Sequence, residues 1–521
     1  MAHRTAWLLR VNRLYGRADE WTRGYAFARA FPGGSWPLPA DPSRVSRWET
    51  ARTDVPYGAV VRYEELLGLA PGLLTSAIDT VNRYVTPAPG PLLSRPGPDG
   101  GPPGQRTADL LDAVTSRTVV AAADWDDLTA TLTARPGLWL RPGDWYTLCE
   151  RLLTETVISD GTGWKQRFEA FSRLLHHPAA QRHAIAACAD AAHVPDAQAL
   201  VETVCLLDTS AHADAAHHVL AQLRDPVNDD AFHGALLACV RKLAHGHFTP
   251  EQAGAVSAVC ADLLHDTSVR YDDARALAAV LLGSVAPEDL VPSAHAALRR
   301  GLPGTGGPPP VPADPWLVRR VADATVAALP REIPRFEDAV LPVLVREVLY
   351  APVSDVRMHA ALLLAATPYR APLARALKTE VVRSPGTRLL LRLLTALRNL
   401  GADTERPWAE RLVLHPLTPA PVAGAAAQAL GHLGGRSDDT FWTAAIARHT
   451  PLPGSTNRAG VHVLRGLVYA LGMSGDTVRL AGLAGSRAQP DEVRAPARWW
   501  GRVPAHLRFG APDRPDGCPP D

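Results

Sequence analysis

The tightest constraint on this chain is where it cannot be helical. Thr86–Gln105, TPAPGPLLSRPGPDGGPPGQ, holds seven Pro and five Gly in twenty residues. Pro removes a backbone donor and Gly costs entropy in a helix, so the stretch reads as a flexible or extended linker. Gly301–Pro315, GLPGTGGPPPVPADP, reads the same way, and the tail GAPDRPDGCPPD, 510–521, reads as disordered. These breaks divide the 521 residues into an N-terminal domain, 1–85, a linker, 86–105, and two long blocks, 106–300 and 316–509, with the break 301–315 between them.

Both long blocks read as helix after helix. Apolar residues recur at three- and four-residue spacing, as in DWYTLCERLLTETV (Asp144–Val157) and RLLLRLLTALRNLG (Arg388–Gly401), and strand-like alternation is scarce. Turns such as HHPAAQ and LRDPVNDD break the helices into lengths of about three to four turns, which suits antiparallel pairs. The last block carries a weak repeat. ALLLAA begins at Ala361, ALRNLG at Ala396, ALGHLG at Ala429 and ALGMSG at Ala470, spacings of 35, 33 and 41 residues. A period in this range marks stacked helical pairs. Asp355-Val356-Arg357 with Ala360 and Leu364 resembles the helix start of a HEAT repeat. The expected fold is all-α: a five-helix N-terminal domain, a helical repeat-like region over 106–300, and a HEAT-like solenoid over 316–509.

Composition excludes several classes. The net charge is +1, too small for a wholly basic coat protein or an acidic tail protein. Only three basic residues are Lys (Lys165, Lys242, Lys378), so 54 − 3 = 51 are Arg. Cys149, Cys188, Cys205, Cys239, Cys260 and Cys518 form no Cys-x-x-Cys, and the plain reading is reduced thiols in a cytoplasmic protein. No run of eighteen uncharged apolar residues is present, so no membrane span is expected. No His-Glu-x-x-His, phosphate-binding Gly-x4-Gly-Lys or Gly-x-Ser-x-Gly appears. We therefore expect no catalytic residue, no metal and no cofactor. The histidines of 176–247 and Trp139, Trp145 and Trp164 read as core or surface residues.

The most informative stretch is Ser43–Leu69, SRVSRWETARTDVPYGAVVRYEELLGL. Asp41-Pro42 is a strong helix start, with Asp to cap free amides and Pro at the first helical position. At 100° per residue, Ser43, Ser46, Arg47 and Thr50 fall on one side, Val45 and Trp48 on the other, and Glu49 at the margin. One face anchors; the other offers hydroxyls and guanidinium groups suited to base edges and phosphates. Arg52 lies just beyond, and Pro56 opens a helix whose Val60, Val61, Leu66 and Leu67 supply core.

These residues resemble the lambda-repressor-like helix-turn-helix proteins, the XRE family. The carrying pattern is Ser43, Ser46, Arg47, Trp48 and Glu49, then Arg52, Pro56 and LLGL at Leu66–Leu69, over about 80 residues. GYAFARAF (Gly24–Phe31) resembles the motif's first helix, packed by Phe27, Ala28 and Phe31, and TAWLLRVNRLYG the domain's opening helix. The resemblance implies that Ser43, Arg44 and Arg47 face bases and that Thr50 and Arg52 lie near phosphates, with Ser46 on the same DNA-binding face. It also implies that Glu49 pairs with an Arg of the opening helix, Arg10 or Arg13. The chain departs from the pattern in three ways. The segment between Phe31 and Pro42 is about seven residues longer than the family's turn, Ala51 stands where the family usually has Gly, and Thr22, Arg23 and Gly24 lie where a polar residue, often Gln, usually opens the second helix to grip a phosphate.

Residues 1–85 hold eleven Arg and eight acids, 11 − 8 = +3, a modestly basic domain. The expected function is a sequence-specific transcriptional regulator binding double-stranded DNA as a homodimer. Its helical region would dimerise, or bind a protein or small-molecule effector. The alternative is an α-solenoid scaffold whose N-terminal domain contacts protein.

Overall fold

A computed structural model describes residues 2–16, 19–85, 104–138, 140–265, 272–299, 313–330, 336–383, 386–451 and 457–509. The tail 510–521, most of the linker and most of the break therefore lie outside the described residues, as do Trp139 and Cys518. Among the described residues every regular element is helical: 28 α-helices and four short 3-10 turns, with one isolated bridge between Gly33 and Trp36. The all-α expectation holds because apolar residues at helical spacing outnumber any alternating pattern.

The chain forms two compact units of non-contiguous segments. The first comprises 1–78, 313–351 and 356–504; the second comprises 79–312, 352–355 and 505–521. The N-terminal helices thus share a unit with the last block of the sequence.

In the first unit the N-terminal helices are α1 (Ala2–Tyr15), α2 (Gly24–Ala30), α3 (Pro42–Glu49), α4 (Tyr57–Leu67) and α5 (Leu73–Val85), the last continuing past Ile78. α1 is buried on two sides. One side packs on α3 and α4. The other rests on residues 336–369. Trp7 Nε1 donates to Asp338 at 2.8 Å, and Tyr369 donates to the same carboxylate at 2.8 Å. Asn12 Nδ2 donates to the Ala366 carbonyl at 2.9 Å, and the Tyr15 ring lies 5.6 Å from Tyr369. Further along, alternate helices form a row. Thr387–Leu400 packs on Ala420–Ala429, that on Arg458–Ser474, and that on Asp491–Arg502, with intervening helices against their sides. Two glycines make one crossing close: a Cβ on Gly466 would stand 2.7 Å from the Gly424 carbonyl oxygen.

The second unit contains buried ion pairs, and some of their arginines also donate to backbone carbonyls. Arg83 pairs with Glu169 at 2.7 Å and Arg241 with Asp208 at 2.8 Å. Arg241 also donates to the Arg83 carbonyl at 2.6 Å. Glu155 accepts from Arg151, from Trp125 Nε1 at 2.7 Å and from Arg167. Trp145 and Trp164 are ordinary packing residues, against His177 and Phe168 respectively.

Beside Asp208 and Arg241 sit His176, His245 and His247. Burial pushes all three imidazoles below their usual pKa, and neighbouring cations add to it: Arg83 for His176, Arg241 for His245 and Lys242 for His247. Asp208 is the one charge acting the other way on all three. A histidine whose folded pKa is depressed binds its proton more readily when unfolded. Its stabilisation is present above the unfolded value, about 6.5, and is lost as pH falls through it. Denaturant midpoints of the full chain should therefore drop between about pH 7 and pH 5.5. Combined replacement of His176, His245 and His247 by Gln should flatten that drop, which parallel urea titrations at the two pH values will check.

Candidate nucleic-acid interface

α3 is built as a capped, one-sided helix. The Asp41 carboxylate accepts from the Arg44 amide at 2.8 Å and from the Ser43 hydroxyl at 2.6 Å, and Pro42 takes the first turn. The Ser43 hydroxyl and then the Arg44 amide hold the Asp41 carboxyl below its usual range. Val45, Trp48 and Glu49 are buried, whereas Ser43, Ser46, Arg47 and Thr50 are exposed. This is the division that the helical wheel gives.

The buried edge is fixed by an ion pair. Arg13 of α1 meets Glu49 through two hydrogen bonds of 2.6 Å, and Tyr63 of α4 donates to the same carboxylate at 3.0 Å. Arg13 also donates to the Trp21 carbonyl at 2.7 Å. Its side chain is 8% exposed and that of Glu49 4%. Burial opposes the Arg13 charge, but the Glu49 carboxylate outweighs it and raises the guanidinium pKa. Of the two partners left open by the sequence, Arg13 is the one observed. Arg10 instead lies over the Phe336 ring at 4.7 Å.

The helix ends in a left-handed turn at Ala51, φ 55°, the one non-glycine with positive φ among the described residues. Arg52 N–H donates to the Arg47 carbonyl at 2.9 Å and Ala51 N–H to that of Trp48 at 3.3 Å. That is the Schellman arrangement, which favours Gly at this position.

The long segment between α2 and α3 is pinned to α4. Gly33 and Gly34 take positive φ in a tight turn closed by Trp36. The Ser35 hydroxyl donates to Glu65, which also pairs with Arg62 at 2.7 Å. Arg62 in turn donates to the Phe31 carbonyl at 2.8 Å and the Ala30 carbonyl at 3.0 Å, closing the end of α2. Trp36 stands edge-on to Trp48 at 5.6 Å, extending a cluster of Phe27, Phe31, Trp48 and Tyr63. Val60 and Leu67 of α4 are buried, whereas Val61 and Leu66 are only half-buried. Glu64, also buried, accepts from the Gly72, Leu74 and Thr75 amides and so caps α5; burial still raises its carboxyl pKa.

The six sequence-derived interface residues thus separate. Ser46, Arg47 and Arg52 point their polar groups outward with no side-chain hydrogen bond among the described residues. Ser43 is engaged in the cap, Arg44 donates to the Pro39 carbonyl at 3.1 Å, and Thr50 donates to the Ser46 carbonyl at 2.7 Å. On the neighbouring α2, Tyr25 and Arg29 are exposed at i, i+4, opposite buried Phe27 and Ala28. Sequence reasoning passed over this pair, although the spacing in GYAFARA carried it. Among the described residues no group of three or more His, Cys, Asp or Glu could hold a metal ion, and no helix is long and apolar enough to cross a membrane.

Two stability outcomes follow from these contacts. Glu49→Ala strands a buried guanidinium and should cost about 3–5 kcal/mol, whereas Ala51→Gly removes left-handed strain and should add about 1 kcal/mol. Denaturation of the full chain, followed by Trp fluorescence, will measure both. Comparison with family models, with curated proteins and with solved structures finds no match to this chain.

Proposed function

We propose that the chain is a non-enzymatic, sequence-specific DNA-binding transcriptional regulator of the helix-turn-helix kind, reading double-stranded DNA through α3. The observation that carries this reading is the anchoring of α3. Val45, Trp48 and the Arg13–Glu49 pair hold its inner edge, while Ser46, Arg47 and Arg52 are exposed, as are Tyr25 and Arg29 of the neighbouring α2. An Arg presented from a rigid helix is the commonest reader of guanine in the major groove, and Arg, Tyr and Ser nearby suit phosphates. The excess of eleven Arg over eight acids in residues 1–85 favours a polyanion without making a general coat. In this reading Ser43 positions the helix through its cap, and base contact falls to Ser46 and Arg47.

The row of alternating helices in the first unit supports a HEAT-like helical region. Its part is dimerisation or partner binding, so that two copies place two short reader helices on half-sites about 34 Å apart. A regulator of this kind works in the cytoplasm.

The test begins with footprinting of the tagged full chain on its genome, followed by affinity measurement on the recovered site and on random duplex. Arg47→Ala should lose about 1–3 kcal/mol on the recovered site and much less on random DNA. Equal loss on both would reduce Arg47 to a phosphate contact. Recovery of no preferred sequence would end the DNA reading.

A further inference from the structure

The row of alternate helices in the first unit has a charge asymmetry that DNA reading by α3 does not use. Thr387–Leu400, the segment 420–434 and Arg458–Ser474 together contain five Arg and no Asp or Glu. On the last of these helices Arg458, His462, Arg465 and Tyr469 follow at i, i+4, i+7 and i+11, opposite buried Val463, Leu467 and Leu471. Arg398 reaches over from the first helix. It donates to the Tyr469 hydroxyl at 3.1 Å, approaches His432 Nε2 at 3.1 Å, and lies 5.5 Å over the Tyr469 ring. His432 is itself 3.0 Å from the Tyr469 hydroxyl. These contacts join the three helices into one strip. Burial, with Arg398 beside it, holds His432 neutral, so the strip's charge at neutral pH comes from its arginines. The next helix of the row opens with Asp491, which Arg494 and Arg498 hold at 3.3 and 3.1 Å.

We propose that this strip docks an extended acidic segment of a protein partner. Carboxylates match guanidinium groups two oxygens to two N–H groups. Arg458 to Tyr469 spans about 16 Å at 1.5 Å per residue, and the Arg398 guanidinium sits at the Tyr469 end of it. An extended chain of about five residues covers that length. The placement of Arg398 favours a polypeptide over duplex DNA. That side chain is half-buried and laid against an aromatic ring, where a single Asp or Glu side chain reaches it more readily than a rigid duplex backbone.

The test uses the full chain and a fluorescein-labelled eight-residue Asp/Glu peptide, read by anisotropy at low salt, with a Lys peptide of equal length as control. The acidic peptide should bind, the Lys peptide should not, and binding should weaken as salt rises. Arg398→Gln with Arg465→Gln should weaken it by on the order of tenfold. Arg458→Glu, exposed and outside the Arg398–His432–Tyr469 contacts, should weaken it several-fold with unchanged melting. Failure of the acidic peptide to bind, or unchanged affinity in both variants, overturns the proposal. Displacement of the peptide by random duplex, together with loss of duplex binding in the double variant, assigns the strip to nucleic acid and overturns it equally.

Discussion

The first unit's N-terminal helices depend on the Arg13–Glu49 pair. Two buried charges cost several kcal/mol each to desolvate, and only close geometry with further hydrogen bonds offsets that. Here the geometry is complete. Two short bonds join the pair, Tyr63 supplies a third donor to the carboxylate, and the Trp21 carbonyl takes another guanidinium proton. The result is a directional tie among α1, α3 and α4, whereas apolar packing alone would let α3 roll or slide. Trp48 sets how deep the helix sits, and the pair sets its rotation, so the outward aim of Arg47 depends on it.

The same economy recurs around that tie. Glu64 closes three open amides at the start of α5, and Arg62 closes two carbonyls at the end of α2. Each long polar side chain thus finishes a helix that the local sequence leaves open. In the row of later helices the corresponding device is size. Gly466 lets two backbones approach where a side chain would meet the Gly424 carbonyl, and Gly424 leaves room for the His462 ring. Polar ties fix orientation at one end of the unit, and close contact fixes spacing at the other.

Much of α3 was legible in the sequence because its information is local. The Asp41-Pro42 start, the buried Val45 and Trp48 and the exposed Ser46 and Arg47 all follow from a wheel of eight residues. The need for a left-handed residue at position 51 was visible in the resemblance, where Gly is usual, and the chain meets it with a strained Ala. What could not be read depended on distant partners. Arg10 and Arg13 lie one turn apart, and only the placement of Phe336 beneath Arg10 separates them. The anchoring of the long segment after α2 could not be read because Arg62 and Glu65, which pin it, lie about thirty residues further on. The grouping of 1–78 with 313–351 and 356–504 rests on contacts across more than three hundred residues, such as Trp7 with Asp338. No periodicity encodes such a contact.

α1 has a consequence for modularity. A short N-terminal helical segment suggests a cassette, a piece that can be cut out and joined to another protein. This one is upholstered on both sides. Trp7, Asn12 and Tyr15 are seated on Asp338, Ala366 and Tyr369, while Arg13 on the same helix faces Glu49. A cut after Val85 would leave an aromatic surface bare and unsupport the helix that aims α3. The smallest transplantable piece is therefore discontinuous: it must carry residues 336–369 along with the first 85, and a chimera that omits them inherits the letters of α3 without its frame.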